Sequence, residues 1–135
     1  MKKVNFKHGA GEIIGMAVTL PLVIVLILLV VNLFQISRCE QRLIYASYFC
    51  GRSAAISFNQ EEAENAVTKV LSDLNAKDGS DIRFDKPIDV HGAWLKGNFV
   101  IVNVYEDLHP ILGIGGGTHY RRIAMLIEHS EWIQE

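Results

Sequence analysis

The spacing of hydrophobic and polar residues changes character three times along the chain. From Ile13 to Phe34 there is no periodicity: 22 consecutive residues carry no charge. At ~1.5 Å rise per residue, a helix of that length crosses the ~30 Å hydrocarbon layer of a bilayer with a little to spare. Pro21 falls inside the run, where it removes one backbone hydrogen bond and predicts a kink that a membrane helix tolerates. Beyond the run no helix breaker precedes Cys50-Gly51, and Ile36, Cys39, Leu43, Ala46, Cys50 and Ser53 fall on one heptad-like stripe. One long helix is expected. Its seam of small and medium side chains lets another helix approach, from this chain or from another subunit, or else lies under the chain's own outward domain. Both occupants stay open on the sequence.

A helical period returns after Asn59. That residue is placed as an N-cap, with Glu62 in the capping-box position and a stop near Lys77-Asp78-Gly79. Ala63, Val67, Val70, Leu71 and Leu74 form the inner face, and Glu61, Glu64, Lys69 and Asp73 the wet one. From Asp81 the period drops to two. Ile82, Phe84, Ile88 and Val90 alternate with Arg83, Asp85, Pro87 and Asp89, predicting an amphipathic strand that Pro87 assigns to a sheet edge. A turn containing His91-Gly92 and Gly97-Asn98 leads to a second strand, Phe99 to Tyr105. A third runs from Tyr120 to Glu128, with Ile123, Met125 and Ile127 on one face.

These elements define an α+β chain in which a long N-terminal membrane-spanning helix continues into a small outward domain with a second helix and a three-stranded antiparallel sheet. The expected divisions are a basic leader over 1–12, a span over 13–34, its continuation over 35–58 and an α+β domain over 59–135.

Charge refines the picture at the membrane. Lys2, Lys3, Lys7 and His8 precede the span, and Arg38, Arg42 and Arg52 follow it, so the lysine-rich leader favours a cytoplasmic N-terminus by a small margin. The expected location is the cell membrane, with the C-terminal domain extracytoplasmic. A removable signal peptide fits poorly, because the apolar run is too long and ends in Gln35-Ile36-Ser37-Arg38 rather than in a small-residue cleavage site. Arg38 before Cys39 likewise argues against a lipoprotein site. Residues 35–135 carry 10 of the 13 Lys/Arg and 14 of the 15 Asp/Glu, a net of −4. With no basic stripe, nucleic acid is not an expected partner.

Candidate chemistry is sparse. Cys39 and Cys50 are eleven residues apart, about 16 Å along a continuous helix, too far to pair with each other there. Free buried thiols, an intermolecular bridge, or a helix break that lets them meet all remain open. Gly113 to Gly117 lacks the Lys-Ser/Thr of a phosphate loop and is expected to be a flexible strand connection. The five histidines show no metal-ligand spacing, and no triad or paired carboxylates are evident. No catalytic residue, metal site, cofactor or small-molecule substrate is therefore expected.

The segment Lys7-His8-Gly9-Ala10-Gly11-Glu12-Ile13-Ile14-Gly15-Met16-Ala17-Val18-Thr19-Leu20-Pro21-Leu22 resembles the start of TadE/TadG-like minor pilins and pseudopilins. Val100 to Glu106, the Pro110/Gly-rich loop and Ile123 to Glu128 resemble that family's C-terminal hairpin. The resemblance implies a structural subunit of a Tad-type pilus or related secretion apparatus. Its partners would be membrane lipid and other pilin-like subunits or a membrane assembly platform. It also implies processing or assembly roles for Gly9, Gly11 and Glu12, with cleavage after a small residue and a glutamate at the fifth mature position. Here a cut after Gly9 or Gly11 puts Ile14 or Met16 fifth, and Glu12 is fifth only for a cut after Lys7, a departure from the pattern. As an assembly residue, Glu12 would meet a neighbouring subunit's amino terminus in the membrane. The alternative function is a single-pass accessory or sensor protein whose outward domain binds a ligand or partner.

Overall fold

The structure, a computed structural model, describes residues 6–129, with side chains from Gly9 onward. Lys2 and Lys3 of the leader lie outside the described residues. Six elements follow in order: α1 (Phe6–Ala55), α2 (Gln60–Asp78), β1 (Arg83–Phe84), β2 (Asp89–Val90), β3 (Phe99–Leu108) and β4 (Gly117–Leu126). The α+β class and the order of long helix, second helix and antiparallel sheet are those expected from the periodicities.

α1 is one helix of 50 residues, about 75 Å long, with Pro21 inside it. It runs on through Cys50-Gly51, the first breaker after the apolar run, and ends at Ala55, inside the continuation expected over 35–58. Gly51 serves packing rather than termination. A Cβ there would stand 2.9 Å from Ile123 Cγ2 and 3.3 Å from Met125 Sδ, so glycine lets β4 approach the helix backbone. The chain then turns at Ile56-Ser57, with the Ser57 amide donating to Ala54 O at 3.2 Å.

α2 opens and closes where its capping residues predict. The Asn59 side chain accepts from the Glu62 amide at 2.8 Å, and Glu62 in return accepts from the Phe58 amide at 2.8 Å. At the other end Gly79, at φ 66°, donates to Asn75 O at 2.8 Å, the left-handed cap that glycine adopts without strain. Ala63, Val67 and Leu71 are buried in the core that includes the α1 stripe, and Val70 and Leu74 are half-buried against it.

The sheet departs from the expected three strands in one respect. The first strand is divided in two, which makes the sheet four-stranded. β1 pairs Phe84 with Val104, and β2 pairs Asp89 with Ile101, so four residues, 85–88, oppose only two of β3. Both pieces lie on the same edge of β3, because Val100 and Val104 also pair with β4 on the opposite edge. The cause lies in α2 as well as in Pro87, which has no amide hydrogen to donate. Ile88 turns both backbone groups to the helix: its amide reaches Glu64 Oε1 at 3.4 Å, and its carbonyl accepts from Gln60 Nε2 at 2.9 Å. Asn75 holds Ile82 in the same way, donating to its carbonyl at 2.9 Å and accepting from its amide at 3.0 Å.

β3 and β4 pair without interruption from Phe99↔Leu126 to Leu108↔Gly117, a longer hairpin than the expected Phe99–Tyr105 and Tyr120–Glu128 strands. β4 starts earlier, at Gly117, and stops at Leu126. Past its end, the Ile127 amide donates to Asn98 O and the Glu128 amide to Ala55 O, each at 2.8 Å. Val100, Val102 and Val104 face the α1 stripe and complete the core with Ile82, Ile88 and Ile127.

Candidate functional site

The seam on α1 is occupied within the chain. Cys39, Leu43, Ala46 and Cys50 are fully buried in the core with β3 and α2, while Ile36 and Ser53 are half-buried. Of the two occupants left open by the sequence, the domain itself is the one present. Cys39 and Cys50 stand on one unbroken helix, both free and both buried. Burial pushes the Cys50 thiol up to about 12, and burial together with the neighbouring Glu106 carboxylate pushes Cys39 up to about 11. Neither is a nucleophile at neutral pH, because only the thiolate reacts.

At the end of that seam nearer the apolar run lies a buried charge. Glu106 continues the inward alternation of Val100, Val102 and Val104, so a carboxylate occupies a core position at 6% exposure. It accepts from Arg42 Nη2 at 2.8 Å and from the Cys39 thiol at 3.4 Å. Each carboxylate oxygen thus has a partner on α1, the condition under which a buried charge is tolerated. The arrangement locks β3 to α1 in register. Sequence reasoning missed it, although a glutamate ending the alternation Val-x-Val-x-Val-x-Glu was a readable signal.

Asn32 was missed too, as the one amide inside the apolar run. It is 2% exposed. Its Nδ2 donates to Ile114 O at 2.8 Å, and its Oδ1 accepts from the Leu112 amide at 3.1 Å, so one side chain clamps the β3–β4 loop through two backbone groups. Gln35 Oε1 accepts from the Ile111 amide at 3.1 Å. Ile36 packs so near Gly115 that a Cβ there would lie 2.6 Å from Ile36 Cδ1, and Gly115 also has φ 74°, so the position needs glycine twice over. His119 completes the collar, linking Gly115 O and Glu40 Oε1 through its two ring nitrogens, each at 2.9 Å. Those two hydrogen bonds, the backbone one first, raise its pKa above the ordinary value. The expected flexible connection is therefore a tethered loop.

Toward the N-terminus α1 has no such cover. No residue of its most apolar 18-residue stretch is buried, and the helix is long and apolar enough to cross a membrane. A Cβ added at Gly9 or Gly11 would meet nothing within 4 Å, and Glu12 is exposed. α1 is already helical at Phe6, which places Glu12 beyond the first turn, where the helix dipole no longer acts on it strongly. Gly9, Gly11 and Glu12 thus stand on the exposed part of α1, outside the packed core.

On the side of α1 away from the sheet, Tyr45, Tyr48 and Phe49 form an exposed aromatic group, with neighbouring ring centroids 5.7 and 5.8 Å apart. Beside it a groove of about 690 Å³ runs between α1 and the end of α2, lined by Tyr45, Phe49, Leu74 and Ile82 and flanked by Arg38, Arg42, Lys77 and Asp78. Among the described residues, no three His, Cys, Asp or Glu side chains come together as a metal site. Compared with known proteins, the chain matches no family model, no curated protein and no solved structure.

Proposed function

We propose that this chain is a membrane-anchored structural subunit of the minor-pilin or pseudopilin kind. Its N-terminus would be cytoplasmic and its α+β domain extracytoplasmic, and it would act in a Tad-type pilus or related secretion apparatus. The observation that carries the reading is the division of α1: a bare apolar half, and a second half that is the spine of a small domain. Residues 13–34 include 16 Leu, Ile, Val and Phe. At roughly −0.3 to −0.6 kcal/mol each, they favour insertion by on the order of 5–10 kcal/mol, well beyond the cost of one internally bonded Asn32. The resemblance of Lys7 to Leu22 and of the C-terminal hairpin to TadE/TadG-like proteins supplies the word pilin.

Because the Cys39–Cys50 seam is already filled, contacts between subunits would use other faces. The bare helix from Ile13 to Phe34 and the aromatic group of Tyr45, Tyr48 and Phe49 are exposed for that purpose. Intact mass of the protein extracted from its native membrane, with photo-crosslinking from position 48 in the same membrane, tests the reading. A mature chain beginning between His8 and Glu12, crosslinked to itself or to another subunit with an N-terminal apolar helix, is the expected result. A full-length chain with no such crosslink would sink it. The groove beside Tyr45 and Phe49 favours a second reading, a membrane-anchored accessory or sensor protein whose outward domain takes a ligand or partner there. That reading expects substitutions lining the groove to abolish function and those at Glu12 to be silent.

A further inference from the structure

We propose that the tip of the β3–β4 hairpin, residues 110–116, is a second membrane contact. It seats Ile111 and Ile114 at the boundary between headgroups and acyl chains on the domain side of the bilayer. The inference rests on α1 being a membrane span. Three observations carry it further than that reading.

The first is position. β4 descends along α1 from the level of Gly51, where Ile123 and Met125 pack, to Glu40, where His119 is bonded, and the loop continues to Asn32. Asn32 lies two residues inside the apolar run that ends at Phe34, about 3 Å along the helix axis. A loop clamped there is level with the edge of the hydrocarbon, within the depth that interfacial segments reach.

Composition is the second. Residues 110–118 contain no charge, and Ile111 and Ile114 are 60% and 63% exposed. The first charged or titratable side chains next to the tip are those of Arg38 and His109, and the Arg38 guanidinium lies 5.9 Å from the centre of the Phe34 ring.

The third observation is the backbone. Where water is scarce, unpaired amides are costly, and lipid-facing loops ordinarily fail on that ground. This loop does not. Pro110 has no amide hydrogen, and the next three amides are all bonded: Ile111 to Gln35, Leu112 to Asn32, and Gly113 to Pro110 O at 2.9 Å. The carbonyls of Ile114 and Gly115 accept from Asn32 and His119. A surface turn in water would need none of these partners from α1.

The test uses the full chain in phosphatidylcholine/phosphatidylglycerol vesicles, with a nitroxide attached at one of four engineered cysteines: Leu22→Cys, Leu95→Cys, Ile111→Cys or Ile114→Cys. The native thiols are buried. Collision with oxygen, which partitions into lipid, is compared with collision with a water-soluble nickel chelate. Leu22 reports the span, and Leu95, exposed in the β2–β3 connection, reports water. The expected result is an oxygen-to-nickel ratio at positions 111 and 114 several-fold above that at 95 and below that at 22. Tip positions that match 95 while position 22 reads as lipid overturn this inference and leave the anchor standing. If position 22 also reads as water, the anchor reading falls and takes the inference with it. Two tip positions guard against one label disturbing the loop.

Discussion

The two halves of α1 are similar in helical continuity and opposite in everything around them. From Ile13 to Val31 the side chains are apolar all round the axis and none is buried; from Cys39 to Ala55 a narrow stripe of Cys, Leu and Ala is fully buried and the opposite side is exposed. A helix that is apolar on every side has no inner face, so it needs an apolar medium. A striped helix needs a partner on one side, and here the partner is its own sheet. Side-chain size follows the same division. The bare half carries large branched aliphatics, whereas the covered half uses small residues and Gly51 where β4 presses closest.

The largest expected effect separates the halves directly. Leu43→Ala removes a fully buried side chain and should cost about 2–5 kcal/mol of domain stability, against less than about 0.5 kcal/mol for Leu22→Ala, read by chemical unfolding in detergent micelles. Equal losses would mean that the bare half is structurally part of the domain. Glu106→Ala comes next, because it leaves the Arg42 guanidinium facing the core. We expect about 2–3 kcal/mol in the same assay, below the full value for a buried pair since the Arg42 side chain keeps 27% of its surface exposed.

Glycine substitutions sharpen the comparison at smaller scale. Gly51→Ala collides with Ile123 and should lose about 1 kcal/mol net, overpacking outweighing the gain in helix propensity. Gly15→Ala meets nothing within 4 Å and should lose none. The smallest effect is a pH dependence in the collar. Held by Gly115 O and Glu40, His119 binds its proton more tightly folded than unfolded. Its stabilisation is therefore complete below the unfolded value of about 6.5 and is lost as pH rises through the raised folded value. Thermal midpoints should fall from about pH 6 to about pH 8.5 in the wild type by more than in His119→Gln, and parallel profiles would remove this role.

How legible all this was depended on how local each feature is. The apolar run, the Asn59 cap with Glu62, and the Gly79 stop were readable because each concerns neighbours within a few residues. The strand period over 82–90 was readable as well, but its interruption was not, because Gln60 and Glu64 of α2 capture Ile88 across more than twenty residues. The packing role of Gly51 was not readable for the same reason: the strand that requires glycine there lies some seventy residues away.

The candidate site followed the same rule. Asn32 and Glu106 each break a pattern, one an apolar run and the other an inward alternation, and such breaks can be read in one dimension. What they bond to cannot, since Ile114 and Leu112, Arg42 and Cys39 are all distant in the chain.

By itself, then, the sequence determined that this protein has a helix long and apolar enough to span a membrane, a capped second helix and an antiparallel sheet, because hydrophobic period and capping act through local geometry. Only the tertiary structure decided that the sheet fills the helix seam, that the first strand is divided, and that the hairpin loop is clamped to Asn32. Those outcomes depend on which surfaces meet once the chain has closed long loops, and on the partners that burial brings to Asn32 and Glu106.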